Sequence, residues 1–153
     1  IFYVISNIMF RVILSAVLIL VAAGCAEPFV VFSGGKLSGE IAIAPLEWSI
    51  TDSTDTVQLE TRPTDPYSIN IWAASTGKHL YIATGSDGAT WTSYIEDSPS
   101  VRLRVGQQLY SLQAISISDV AEREKVSSAY VKKYDLEEDN WVREARIYRL
   151  DRL

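Results

Sequence analysis

Residues 68–85 read SINIWAASTGKHLYIATG, and the alternation in this run decides the fold. Over residues 68–74, Ile69, Ile71 and Ala73 fall on one face while Asn70, Trp72 and Ala74 fall on the other, which is the two-residue period of a strand. Residues 75–78, STGK, supply a glycine-bearing turn, and residues 80–84, LYIAT, return antiparallel. The run is a β-hairpin.

Working towards the C-terminus, residues 85–88, GSDG, break the second strand, and residues 89–97 take on helical character around Trp91, Tyr94 and Ile95. Pro99 stops that helix. Residues 101–105, VRLRV, alternate cleanly, with Val101, Leu103 and Val105 facing inward and Arg102 and Arg104 outward. Gly106 and Gln107 turn the chain into another strand over residues 109–117. Asp119 with Glu122 forms a capping box, and Val126, Ala129, Tyr130 and Tyr134 recur at helical spacing, so a helix over residues 119–134 buries one face. Residues 141–150, WVREARIYRL, close as a final strand.

Working back from the hairpin, residues 57–62, VQLETR, form a strand ended by Pro63 and Pro66, after a turn at residues 51–56, TDSTDT. Residues 40–50, EIAIAPLEWSI, read as the first strand, with Pro45 making it either an edge strand or a broken one. The element order predicts a fold that is mainly β with two helices (α+β), a small antiparallel barrel flanked by helices.

Residues 18–28, LILVAAGCAEP, contain the only cysteine, Cys25. Ahead of it the sole charge is Arg11, followed by the apolar and small residues 12–23, which is the order of regions in a secretory signal. Ala22, Ala23 and Gly24 before Cys25 resemble a bacterial lipobox, although Ala22 stands where leucine is usual. The resemblance implies cleavage before Cys25 and acylation of its sulfur: small side chains fit the protease cleft, and a thiolate is the nucleophile that takes the lipid. One acyl chain binds a membrane only marginally, and the three chains of such a terminus give stable tethering.

A buried structural cysteine and an uncleaved membrane helix are the rival readings, the second interrupted by Ser6, Asn7 and Arg11. Met9 is the only methionine, so translation is expected to start there, with residues 1–8 upstream of it. Ala26, rather than an aspartate that would retain the protein at the inner membrane, favours the outer membrane if the cell is Gram-negative. The expected address is the cell envelope, outside the cytoplasm, with the lipid membrane as partner through Cys25.

The 153 residues carry a net charge of −5, and losing a signal segment with Arg11 would make the chain more acidic still. That balance tells against nucleic acid, which calls for a basic stripe, and against electrostatic docking on anionic lipid beyond the covalent anchor. With Cys25 lipidated no disulfide can form within the chain, so the core must suffice, and Trp48, Trp72, Trp91, Trp141 and eight tyrosines provide apolar area.

Residues 67–150 resemble the flavin-binding split-barrel superfamily of pyridoxamine-phosphate-oxidase-like proteins. The carriers are the hairpin SINIWAASTGKHLYIATG, then TWTSYIEDSPSVRLRVG, the helix ending AYVKKY, and the terminal REARIYRL. The resemblance implies a small antiparallel split β-barrel flanked by helices over residues 40–153, behind a signal peptide at 1–24 and a lipid-anchored, slack tether at 25–39. It also implies FMN or deazaflavin as cofactor and a homodimer with the cofactor phosphate near the subunit boundary.

Carried onto this chain, the cofactor-binding residues would be Thr84, Ser86 and Gly88 of the loop, Trp91 after it, and Arg102 and Arg104 from the strand. Ala89 and Thr90 stand where deazaflavin-binding relatives carry a basic residue and a proline, and the serine–arginine–lysine phosphate motif of flavin-binding members is not evident.

Each of these residues also has a plainer role. Arg102 and Arg104 suit a solvated strand face paired with acids, Trp72 and Trp91 suit a core or a dimer contact, and Lys78 and His79 suit a hairpin tip. Glu137, Glu138 and Asp139 read as a solvated run. No metal pattern appears, since Asp52 and Asp55 lack the other ligands of a calcium loop. A serine–histidine–aspartate triad would have to draw His79 from a turn. Redox chemistry would need a cofactor.

Three readings of function follow: an envelope lipoprotein with a split barrel of unassigned activity, an FMN- or deazaflavin-binding oxidoreductase, and a non-catalytic envelope interaction module. An address outside the cytoplasm, away from reduced nicotinamide and deazaflavin pools, weighs against the second unless the flavin is pre-loaded.

Overall fold

The computed structural model describes residues 34–137 and 141–153. The expectations for residues 1–24, for Cys25 and its lipidation, and for Glu138 and Asp139 lie outside the described residues.

Among the described residues eight strands and two helices follow in order: β1 (Glu40–Ile41), β2 (Val57–Thr61), β3 (Tyr67–Ile71), β4 (Ala73–Thr76), β5 (His79–Thr84), α1 (Thr90–Asp97), β6 (Ser100–Val105), β7 (Gln108–Ser116), α2 (Val120–Tyr134) and β8 (Arg146–Arg152). The sheet runs β3-β2-β6-β7-β8-β5-β4, and β1 joins β7 in parallel. Its two ends, β3 and β4, are separated by one residue, Trp72. They are two halves of one bent strand: β3 pairs with β2, and β4 pairs with β5. The sheet therefore curls round on itself as an antiparallel split barrel, α+β in class.

Side-chain alternation passes through the bend without a break. Ile69, Ile71 and Ala73 join the barrel core with Leu59, Leu80, Ile82, Leu103, Leu112 and Leu150, while Trp72 and Ala74 turn to a second core under α2. That second core holds Tyr81, Val126, Tyr130, Val142 and Ile147. Each fully buried aliphatic side chain contributes about 1.5–3 kcal/mol by transfer from water. In the β4–β5 hairpin, Gly77 takes the first central turn position at φ +68°, the left-handed conformation glycine adopts without strain.

At the bend, Trp72 leaves one ladder before the next begins, and α2 supplies the missing partners. The Tyr130 hydroxyl donates to the Trp72 carbonyl (3.1 Å), and the Ala73 N–H donates to the Tyr134 hydroxyl (3.0 Å). Lys133 Nζ donates to the Ala73 and Thr51 carbonyls, 2.6 Å each. The Trp72 and Tyr134 rings stack at 4.3 Å and 10°. Burial raises the Tyr134 hydroxyl to about 12, raises Tyr130 well above its ordinary value, and lowers Lys133.

Four expectations need correction. The first strand is two residues long, not 40–50; Ala42 and Ala44 pack on the core, and Ser49–Thr51 is a single 3-10 turn. The last strand starts at Arg146, because Arg123 Nη2 draws the Arg143 and Ala145 carbonyls to itself (2.8 Å each) and holds that backbone as a 3-10 turn, Trp141–Arg143. The capping box is half made: Asp119 accepts from the Glu122 N–H (2.8 Å), but the Glu122 carboxylate accepts from Tyr81 (2.9 Å) and Arg149 (2.8 Å) instead.

Finally, residues 34–39, expected as slack tether, lie as a strap on the barrel and belong to its compact unit. Gly34 bridges Ser68, Leu37 is buried, and Glu40 N–H donates to the Gln107 carbonyl (2.8 Å).

Candidate functional site

Two places gather the residues singled out in the sequence, and they lie three strands apart in the sheet. The first is the corner where β5 ends and α1 begins. Gly88 N–H donates to the Gly85 carbonyl (2.9 Å), closing the GSDG turn with Gly88 at φ +81°. A side chain at Gly88 is strained, because φ there is left-handed and a Cβ would lie 2.9 Å from Thr92 Oγ1 and 3.2 Å from the Arg146 guanidinium, so both would have to shift.

Arg146 comes from the start of β8, opposite Thr84 in register. Its Nε donates to the Ser86 carbonyl (3.0 Å), and its Nη1 meets Glu96 at 3.2 Å. Both partners of that ion pair are about half exposed, 44% and 59%, so it is worth little and exchanges readily. Thr84, Ser86 and Gly88 are thus brought together with an arginine that the sequence reading did not single out.

The start of α1 gives this corner its electrostatic character. Ala89, at the cap position, has no side-chain acceptor for the N–H groups of the first turn. Thr92 Oγ1 instead reaches back to the Ala89 N–H (3.2 Å) and donates to the Ala89 carbonyl (2.7 Å). An uncapped helix start beside a guanidinium favours an anion. Trp91 takes the other side of α1: it is 4% exposed and meets Tyr148 edge-on at 5.5 Å. Its ring is core, and burial there raises the Tyr148 hydroxyl.

The second place is the outer face of β2 and β6. Arg102 forms a two-pronged pair with Glu60 (Nε to Oε1 2.7 Å, Nη2 to Oε2 2.6 Å), whose side chain is 4% exposed. Arg102 Nη2 also donates to the Leu37 carbonyl (3.2 Å), while the Leu37 N–H donates to Glu60 Oε2. Arg104 Nη1 donates to the Ser38 carbonyl (3.0 Å). The two arginines therefore clamp the strap, away from Thr84, Ser86 and Gly88. Lys78 and His79 are exposed at the hairpin tip. Among the described residues no cluster of acids, histidine or cysteine is placed to hold a metal, and no helix is long and apolar enough to cross a membrane.

A phosphate-like group at this corner would meet one guanidinium, set against the carboxylates of Asp87 in the turn and of Glu96, which Arg146 already pairs. Arg146, the Ser86 and Gly88 turn and the open start of α1 would hold it, although residues 84–97 contain no lysine or arginine of their own. A flavin or deazaflavin bound there would supply hydride transfer that no side chain of the chain can.

The chain matches no described protein family and no curated protein. Among solved structures it is similar to a candidate 5-nitroimidazole antibiotic resistance protein from Bacteroides thetaiotaomicron, at TM-score 0.56 and 12% identity, over 83% of this chain and 90% of that one. It is also similar to a candidate pyridoxamine 5′-phosphate oxidase from Listeria innocua, at TM-score 0.54 and 15% identity, over 68% of this chain and 88% of the other. A FAD-binding protein from Mesorhizobium loti matches at TM-score 0.53 and 16% identity, over 69% and 86% of the two chains. At these identities the likeness establishes the fold alone, an α+β split barrel.

Proposed function

We propose that this chain is a lipoprotein of the bacterial cell envelope whose split barrel carries a pre-loaded, tightly held FMN- or deazaflavin-type cofactor and serves as an oxidoreductase domain. The observation that carries the cofactor reading is the helix α1 that starts without a cap beside the Arg146 guanidinium, on a fold shared with a FAD-binding protein. The envelope address rests on the run from Arg11 to Cys25 in the sequence. A homodimer is part of the same reading, by analogy with the fold alone.

The test is direct. The full chain, solubilised in neutral detergent, is examined for visible absorption and then titrated with FMN while its fluorescence is followed. A yellow protein, or binding weakened about tenfold in Arg146→Met, agrees with the reading; one charge-assisted contact is worth that much. Colourless protein that quenches no FMN sinks it. The anchor is tested separately: Cys25→Ser abolishes lipid labelling and membrane fractionation, and retained labelling refutes the address.

A second reading, a non-catalytic interaction module, is favoured by one observation. Ile41, Ile43 and Leu46 are 89%, 96% and 79% exposed within six residues, an aliphatic row facing solvent. If it is an interface, Ile41→Ser with Ile43→Ser lowers the sedimentation coefficient or loses a partner and leaves FMN binding unchanged.

A further inference from the structure

A cleft of 540 Å³ opens at the end of β2, between the strap and the turn that carries Pro63 and Pro66. That volume lies in the range of small-molecule sites. Lys36 of the strap, Arg102 and its partner Glu60 line it together with Thr64, Ser100 and Ser111, over a floor that includes buried Leu112. It is a polar, cation-bearing recess on an acidic chain.

Arg102 is built to present itself there. Glu60 holds Nε and Nη2, and the Leu37 carbonyl takes a second bond from Nη2. Among the described residues Nη1 makes no hydrogen bond. A guanidinium fixed along one edge has lost its rotamer freedom in advance, and its remaining N–H groups suit the oxygens of a carboxylate or phosphate. Among the lining side chains Glu60 balances Arg102, which leaves the Lys36 ammonium without an acidic side-chain counterpart in the lining.

We propose that this cleft is a second anion-binding site, separate from the corner at Arg146, and that it takes the carboxylate or phosphate of a small polar molecule between Arg102 and Lys36. One wall is the strap, so the site exists only while residues 34–39 are docked. Ligand and strap stabilise each other by linkage.

Calorimetric titration of the full chain in neutral detergent, with inorganic phosphate and with succinate, tests the proposal. Millimolar binding of either is expected, weakened about tenfold by Lys36→Met, which removes one charged contact at an exposed position. Preference for phosphate or for succinate assigns the source of the anion. The bound anion should also slow proteolysis of the strap. Absence of binding by both probes overturns the proposal, as does unchanged affinity in Lys36→Met. Binding lost in Arg146→Met but kept in Lys36→Met places the anion at the corner, overturning this site while sparing the cofactor reading.

Discussion

The Tyr134 hydroxyl lies 3.0 Å from the Ala73 amide nitrogen, so a helix residue accepts the hydrogen bond that the bent strand cannot place in its ladder. The same hydroxyl reaches the Asp55 carbonyl at 2.9 Å. Tyr134→Phe keeps the stacked ring and orphans the amide, at a cost of about 1–3 kcal/mol. Urea unfolding of the two proteins measures it; equal midpoints and slopes would show that the bend does not need this partner.

Alkaline pH probes the same region. Burial raises Tyr134 to about 12 in the fold against 10 when unfolded, and raises Tyr130 in the same direction, so the Tyr134 share of this stability is complete below about pH 10 and is lost as pH rises through 12. Lys133, lowered by burial, works in the opposite sense: its penalty fades as pH climbs towards 10.5. Net loss is expected above about pH 10, where the two tyrosines outweigh the one lysine. Phenolate absorbance should show Tyr81, Tyr110, Tyr130, Tyr134 and Tyr148 ionising late. A single wave of tyrosine ionisation in the native protein would contradict the burial.

Gly88→Ala places a side chain at φ +81°, which costs about 1–2 kcal/mol, and pushes on the Arg146 guanidinium. Gly85→Ala is the control, since its Cβ would meet nothing within 4 Å and such a change is usually within about 0.5 kcal/mol. Thermal melts of the pair should differ in that order, and FMN binding, where present, should fall only in the first.

Arg102→Met leaves the Glu60 carboxylate buried without its cation. Because Arg102 is itself 27% exposed, the loss should sit near the lower end of the range for broken buried pairs, about 3 kcal/mol. Trypsin should then cut at Lys36 much sooner than in the parent protein. Arg104→Met removes one exposed bond to the Ser38 carbonyl and should change the cutting rate little. Equal protection in both variants would mean that the strap is held by something other than the Glu60 pair.

Much of the barrel was legible because alternation is a local signal: residues 68–74 and 101–105 keep the faces read for them, residues 80–84 return antiparallel as read, and the Val126–Tyr130–Tyr134 face is buried or half-buried. The bend at Trp72 was not, because no glycine or proline marks it and the alternation runs through it; only the change of pairing partner reveals it. The same holds for Arg146, an unremarked first residue of a strand until β5 and β8 pair and set it against Ser86. The docked strap was hidden by its glycines, which read as slack, whereas a single apolar residue, Leu37, two backbone contacts to the Glu60–Arg102 pair, the Arg104 bond to Ser38 and the Gly34–Ser68 bridge hold it.

Mechanically, the strap is a fuse in series with the barrel. A pull on the residues ahead of Gly34 is borne first by the bridge to Ser68, then by the clamp at Leu37, and only then by the parallel join of Glu40 and Ile41 to β7. Tension arriving from that side peels a surface ribbon one fastening at a time, and the strand pairs of the split barrel behind it begin to part only after the last one yields.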